Sequence, residues 1–402
     1  PFVPKSDKEP TEWLDLPDLM PWSGRGIQFS RTWPVGETQD VVRDRWGNLV
    51  STDDDRRAEL LKESRDAKVS KKYRSFLRPS QLNPLASLRS TDNPDGIEQI
   101  AYRSFDRQWC LADRRVIDMP RPALWKSRGE DQIFVVTLTG DSAANGPAVV
   151  ATSYVPDLNS FRGVGGGLVF PAYRDGSGSE PNLTGGLCEA LEDHLEVGID
   201  PTQIFGYVYG ILGTSAYTDY LTAHEIPIAS PPAVPITSDS NLFRKVASLG
   251  HDLIWWHTWG QRFAPPGASE LPTGSATELE PVTEYPNDFT YSDGTLHVGT
   301  GQFGPVTQAV WDFEVSGLQV VKSWLGYRMW DRKGRKSSPL DDIRPEAWTL
   351  TEELLLLLSI LEHTVNATPK AAELLEQVLG GPLIRAEDLP TPTDAERKAP
   401  RT

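Results

Sequence analysis

Apolar positions along this chain change period from segment to segment, and the changes mark its elements. Leu242, Val246, Leu249, Leu253 and Trp256 recur at spacings of four and three, the repeat of one buried helix face. Asp200-Pro201 followed by Gln203 has the form of a capping box with proline in the first turn, so a helix is expected to open there. Residues 56–72 have helix-forming composition. Thr349 with Glu352 predicts another box, opening a Leu-rich helix to about His363, and Thr368-Pro369 predicts the start of a further helix that stops at Gly380-Gly381. These last two are expected to fold back on each other as a hairpin. β-branched runs predict strands at 132–139, 147–155, 167–173, 295–300 and 306–315, with Gly and Asn between them that favour antiparallel pairing. Residues 265–293, rich in Pro, Gly, Ser and Glu, read as a long surface loop or an insertion.

The pattern predicts an α+β fold: a mainly antiparallel, mixed sheet domain over 21–348 with a packed helical hairpin at 349–390. Residues 1–20 read as a connector from an upstream domain and 391–402 as a frayed tail. A length of 402 residues, 38% of them hydrophobic, with 13 Trp, is enough for a sizeable core. Packing is the economical account of the tryptophans, although an aromatic-rich carbohydrate-binding module would use them as well. Cys110 and Cys188 form neither a disulfide framework nor a metal knuckle, and the six histidines show no HxxxH or HExxH pair. No run approaches the roughly twenty apolar residues of a membrane span. The expectations are therefore a reducing cytoplasm, no metal and no membrane. Pro1 in place of an initiator methionine suggests a piece of a longer polypeptide.

A net charge of −16 speaks against nucleic-acid binding over the whole surface, but the charge is uneven. Residues 56–128 hold seventeen Lys and Arg against nine Asp and Glu. Lys322, Arg328, Arg332, Lys333, Arg335 and Lys336 fall within fifteen positions against one acid, Asp331. An acidic protein can still present one cationic face, because fields of exposed charges decay within about 8 Å at physiological salt. The second cluster follows a strand-like segment and also fits a solvated hairpin tip, and spacing leaves both readings open. The acidic remainder would suit a protein-interaction domain that docks other subunits.

Longer strings carry more. VWDFEVSGLQVVKSWLGYRMWDRKGRKSSPLDDIRPEAW over 310–348, MPWSGRGIQFSRTWPVG over 20–36 and YRSFDRQWCLADRRVIDMPRPALW over 102–125 are similar, in the same order, to strings of one family. They resemble the C-terminal specificity region of Type ISP restriction-modification enzymes and related adenine-specific DNA methyltransferases. YVYGILGTSAYTDYL over 207–221 and LFRKVASLGHDLIWWH over 242–257 fit its helical segments.

The resemblance implies a target-recognition domain that binds double-stranded DNA beside an upstream methyltransferase domain of the same polypeptide. In such parents S-adenosylmethionine methylates adenine N6, and ATP and Mg serve the full Type ISP enzymes. For this chain itself it implies no catalytic, cofactor or metal site. Phe161-Arg162-Gly163-Val164-Gly165 imitates a cofactor loop, but no Asn-Pro-Pro-aromatic tetrapeptide follows to grip a flipped adenine. The candidate DNA contacts are two groups. Arg103, Arg107, Arg114, Arg115, Arg121 and Lys126 are interleaved with Tyr102, Phe105 and Trp109, and arginine forks suit guanine edges as well as phosphates. Lys322, Arg328, Arg332, Lys333, Arg335 and Lys336 flank a Gly-containing loop suited to backbone contact. Asp106 and Asp113 could instead hold some of these arginines in ion pairs.

Overall fold

Phe134, Val136 and Leu138 belong to one hydrophobic core, while the alternate positions Ile133 and Val135 belong to a second. A strand with side chains of period two and both faces apolar has to lie between two covered layers, and the fold is arranged around this one. The computed structural model describes residues 13–138, 145–163, 165–268, 271–331 and 334–400. The elements used below follow in chain order. Strands β1 (Gly24–Arg25) and β2 (Val35–Gly36) precede helices α1 (Gln39–Ser51) and α2 (Asp54–Leu61). A small hairpin, β3 (Tyr73–Arg74) and β4 (Gln81–Leu82), leads to a longer one, β5 (Ile97–Arg103) and β6 (Asp106–Leu111). Then come β7 (Phe134–Leu138), β8 (Val150–Thr152), β9 (Val155–Pro156) and β10 (Gly167–Pro171), followed by α3 (Pro201–Leu212) and α4 (Ser240–His257). A meander, β11 (Thr277–Glu280), β12 (Phe289–Ser292), β13 (Thr295–Val298) and β14 (Gly301–Gly304), leads to α5 (Val320–Gly326) and α6 (Thr351–Gly380).

Three four-stranded sheets result, in the orders β9-β5-β6-β2, β1-β10-β7-β8 and β11-β14-β13-β12. Every pairing in them is antiparallel except β9 on β5, so the α+β, mainly antiparallel architecture expected from the sequence is the one observed. Helix α3 starts where its cap predicts: Asp200 accepts from the Thr202 and Gln203 amides, and the Gln203 side chain accepts from the Asp200 amide. It packs on α4 through glycines. A Cβ on Gly250 would lie 1.7 Å from the Gly206 carbonyl oxygen, so the helix backbones touch there.

Several expectations are corrected by packing. The C-terminal helices are not a hairpin but one 30-residue helix, α6, with Pro369 inside it. Leu354, Leu357, Leu358 and Leu361 enter the first core, and Leu374, Leu375 and Val378 enter the second. That continuous apolar stripe outweighs the roughly 3 kcal/mol cost of an interior proline. Its N-cap is Leu350 without a side-chain bond, so the box at Thr349 is not used. Helix α2 ends at Lys62 in the left-handed region (φ 53°), well before residue 72. Residues 265–293 contain β11 and β12, and 306–315 form a short helix, Gln308–Trp311, with a strand only at Glu314–Val315. Leu14, Leu16 and Leu19 are buried, so the end of the expected connector is part of the second core. The tail is also tied down: Arg397 pairs with Asp18 at 2.6 Å, and Glu396 accepts from the Gly185 amide.

Candidate nucleic-acid interface

Five of the twelve expected DNA contacts are each held by both an acidic and an aromatic partner from the chain itself. Arg328 is fully buried, 2.8 Å from Asp106 and 3.9 Å from Glu353, with its guanidinium 3.8 Å from the Trp324 ring centre. Arg115 makes a two-pronged pair with Asp113 at 2.9 and 2.6 Å and lies over Trp46. Arg103 pairs with Asp157 at 3.3 Å and stacks on Tyr102 at 4.0 Å. Arg107 stacks on Trp259 at 4.2 Å and reaches Glu353 at 3.3 Å. Lys322 lies over Trp311 at 4.7 Å, with Asp312 at 3.8 Å. The interleaving of cations with aromatics therefore records intramolecular cation–π contacts in these five cases, four arginines and one lysine. Guanidinium groups are tolerated in a core only with such partners.

The others face outward or lie outside the described residues. Arg332 and Lys333 belong to the latter group. Arg335 is exposed, and Lys336 is exposed but paired with Asp342 at 2.6 Å. Lys126 is exposed at the end of a short helix, Pro122–Lys126. Arg121 is partly exposed in left-handed backbone (φ 52°), with one long bond, 3.4 Å, to the Gly26 carbonyl. Arg114 donates to the Ile117 carbonyl at 2.7 Å and lies over Tyr73 at 5.1 Å, yet keeps an exposed side.

Arg114 and Lys126 line one cleft with Arg74 and Arg78, about 590 Å³ in volume, with Phe76, Pro79, Pro120 and Pro122 as apolar lining. No acid lines it. The β3–β4 hairpin builds one side. Tyr73 accepts from the Lys68 amide and donates to the Asp66 carbonyl, while Ser75 accepts from the Leu77 and Arg78 amides and donates to Asp95. Arg78 pairs with the same Asp95 at 2.7 Å, and that carboxylate is buried. Sequence reasoning misses Lys71, Lys72, Arg74 and Arg78. Their signal is present in KKYRSFLRP over 71–79, cations interleaved with Tyr73 and Phe76, but the helix-forming composition of 56–72 hides its first residues in a helix tail.

A buried seam ties the segment that Arg114 touches to the second cluster. Arg31, with no exposed side-chain surface, pairs with Asp118 at 3.1 Å and donates to the Val116 and Lys62 carbonyls and to Ser64. The next residue, Thr32, donates to Asp341 at 2.8 Å, and its amide donates to Ser337 at 2.9 Å. Asp341 also accepts from the Ser337 and Ser338 amides. Thus Arg31-Thr32 fastens residues 62–66, which Arg114 touches at the Asp66 carbonyl, to residues 335–341. Segments far apart in the sequence become neighbours. Exposed Arg65 on this seam is partly neutralised, since its hydrogen bond to Asp66 at 3.0 Å holds that carboxyl below its usual range.

Close packing accounts for two glycines of the Gly-rich segment. A Cβ on Gly163 would meet Leu138 at 2.2 Å and one on Gly166 would meet Leu158 at 2.6 Å, so these glycines admit the chain's own side chains. Among the described residues no helix is long and apolar enough to cross a membrane.

Comparison with known proteins agrees with this picture. The family model of the Type ISP C-terminal specificity domain matches residues 18–357. A search of curated sequences found no significant match. Among solved structures, the fold is similar to that of DrdV in a DNA complex (TM-score 0.53, 14% identity, covering 90% of this chain and 35% of that one). A nuclease-deletion mutant of the Type ISP restriction-modification enzyme LlaGI with a DNA substrate mimic gives the same score and identity, covering 90% of this chain and 28% of that one. The ATP-dependent Type ISP enzyme LlaBIII bound to DNA gives 0.55 at 13% identity, covering 89% and 23%. This chain spans about a third or less of the length of those chains. With the family model covering most of the sequence and the α+β architecture shared, the chain belongs to the Type ISP C-terminal specificity domain family.

Proposed function

We propose that this chain is the DNA target-recognition part of a restriction-modification enzyme of the phage-defence type. The observation that carries the reading is the cleft lined by Arg74, Arg78, Arg114 and Lys126 within a specificity-domain fold. Lys71, Lys72, Arg74, Arg114 and Lys126 on one side, and Arg335 and Lys336 on the other, are the side chains that would neutralise phosphates and fix the duplex in register. Arg121, weakly held and partly exposed, is the arginine best placed to read a base edge. Arg332 and Lys333 join the grip by their place in the sequence. The DNA-bound states of DrdV, LlaGI and LlaBIII support this role.

Membership of the family supports a reading of the parent chemistry. An upstream methyltransferase domain of the same polypeptide would flip the target adenine and methylate its N6 from S-adenosylmethionine, in the cytoplasm, with ATP and Mg used by further domains. This chain's part is to hold the site still while that happens. Fluorescence anisotropy with duplex DNA across a salt series tests the proposal: binding should weaken steeply as salt rises. No binding at low salt would refute it.

A further inference from the structure

Trp330 is 51% exposed, a large apolar surface left in water at the edge of the second basic cluster. Its mounting is rigid. Arg328 just before it is locked in the core, the Met329 carbonyl accepts from Arg344 at 2.6 Å, and the Trp330 amide donates to the Pro286 carbonyl at 2.8 Å. Arg344 is itself ion-paired with buried Glu37 at 3.3 Å. The indole is the outer end of an aromatic series rooted in the core: Trp324 to Trp348 at 6.2 Å, Trp348 to Tyr285 at 6.3 Å and Tyr285 to Trp330 at 5.9 Å between ring centres. A side chain held this way gives up little entropy on contact with a ligand, the condition for a binding anchor.

Charge indicates what the anchor meets. The six residues after Trp330 contain four cations and one acid, with Arg335 exposed among them. Of the other two large exposed apolar side chains among the described residues, Leu271 and Leu279, Leu279 stands between Glu278 and Glu280 in β11, where DNA would be repelled. A flat ring beside phosphate-binding groups is how proteins hold unstacked bases.

We infer that Trp330 stacks on a base that has left, or is easily levered from, the duplex stack, while the exposed Arg335 and Lys336 hold its phosphates. This rests on the proposed DNA-binding role and assigns a base-contacting side chain within it. The test uses the full chain with a fluorescein-labelled duplex and with the same duplex carrying one unpaired central base. The wild-type protein should prefer the second by at least about fivefold, the lower end of what one base–aromatic stack supplies. Trp330→Ala should erase that preference while leaving thermal melting and the salt slope unchanged, and Trp330→Phe should keep most of it. Equal binding of both duplexes by wild-type protein, or a preference that survives Trp330→Ala, overturns the inference. Absence of salt-dependent binding to either duplex would instead overturn the DNA-binding role itself.

Discussion

Arg328 and Asp106, 222 positions apart in the chain, meet at 2.8 Å with almost no exposed surface on either side chain. The pair joins the end of α5 to the β5–β6 hairpin, and Glu353 on α6 approaches the same guanidinium at 3.9 Å. The most strongly basic segment of the sequence thus contributes one of its arginines to the core.

Arg328→Ala should therefore act on stability. Removing one partner of a buried pair leaves the other charge uncompensated, a loss of about 3–5 kcal/mol. Urea unfolding would read it, and DNA affinity per folded molecule should stay near the parental value. A variant as stable as wild type would mean that the pair is not formed in solution.

The arginines between 102 and 126 should divide by their partners. Arg103→Ala and Arg107→Ala should lower the melting temperature and retain the parental sequence preference in competition against a randomised DNA library. Arg121→Ala should cost about 1–3 kcal/mol on the preferred site and much less on other DNA, as for a base-edge contact. If all three behave alike, the division drawn from their partners is wrong.

Phosphate grip should show in the salt dependence. Arg74→Ala with Lys126→Ala should weaken binding to all sequences, and the slope of log affinity against log salt should flatten by about 0.9 for each phosphate no longer neutralised. Replacing Arg332, Lys333, Arg335 and Lys336 together should flatten it further. A slope untouched by either set would make those side chains merely solvated.

Acid should destabilise the fold through His257. Its Nδ1 accepts from the Tyr209 hydroxyl at 2.5 Å, while the Ala151 amide donates to that hydroxyl oxygen, so the imidazole proton sits on Nε2 and is donated to Thr364 at 2.8 Å. Burial pushes this histidine down to about 3 from an ordinary 6.5. Between those values the unfolded chain binds a proton that the folded one does not. Stability is then complete above about pH 6.5 and falls by about 1.4 kcal/mol per unit below it, roughly 2 kcal/mol by pH 5. Denaturant titrations at several pH values should show that slope in wild-type protein and lose about one proton of it in His257→Gln.

Pro369 is exposed within α6 and deprives the Val365 carbonyl of its helical donor. Pro369→Ala should raise stability by about 1–2 kcal/mol, the interior cost of proline less its stiffening of the unfolded chain. A lower melting temperature would indicate that the helix depends on a bend at that residue.

Local rules written in the sequence determined a good deal. The Asp200–Gln203 cap, the buried face of α4, the antiparallel strands β7, β8 and β10, and the family strings are all short-range signals, and each held because its determinants lie within one or two turns or one strand. The concentration of cations at 56–128 and 322–336 was equally legible as composition. What the sequence could not decide was which cations face water, because Arg115 and Arg121, or Arg328 and Arg335, differ in partners contributed from elsewhere in the chain. Burial of Arg328 depends on Asp106 and Trp324, and the union of the two basic regions depends on Arg31 and Thr32 bonding to residues 62–64 and 337–341. The same holds for α6, where packing against two cores at once carried the helix through a proline that locally reads as a start signal. Contacts between residues hundreds of positions apart are set by the packing of the whole chain, and only the tertiary structure converts a list of arginines into a surface.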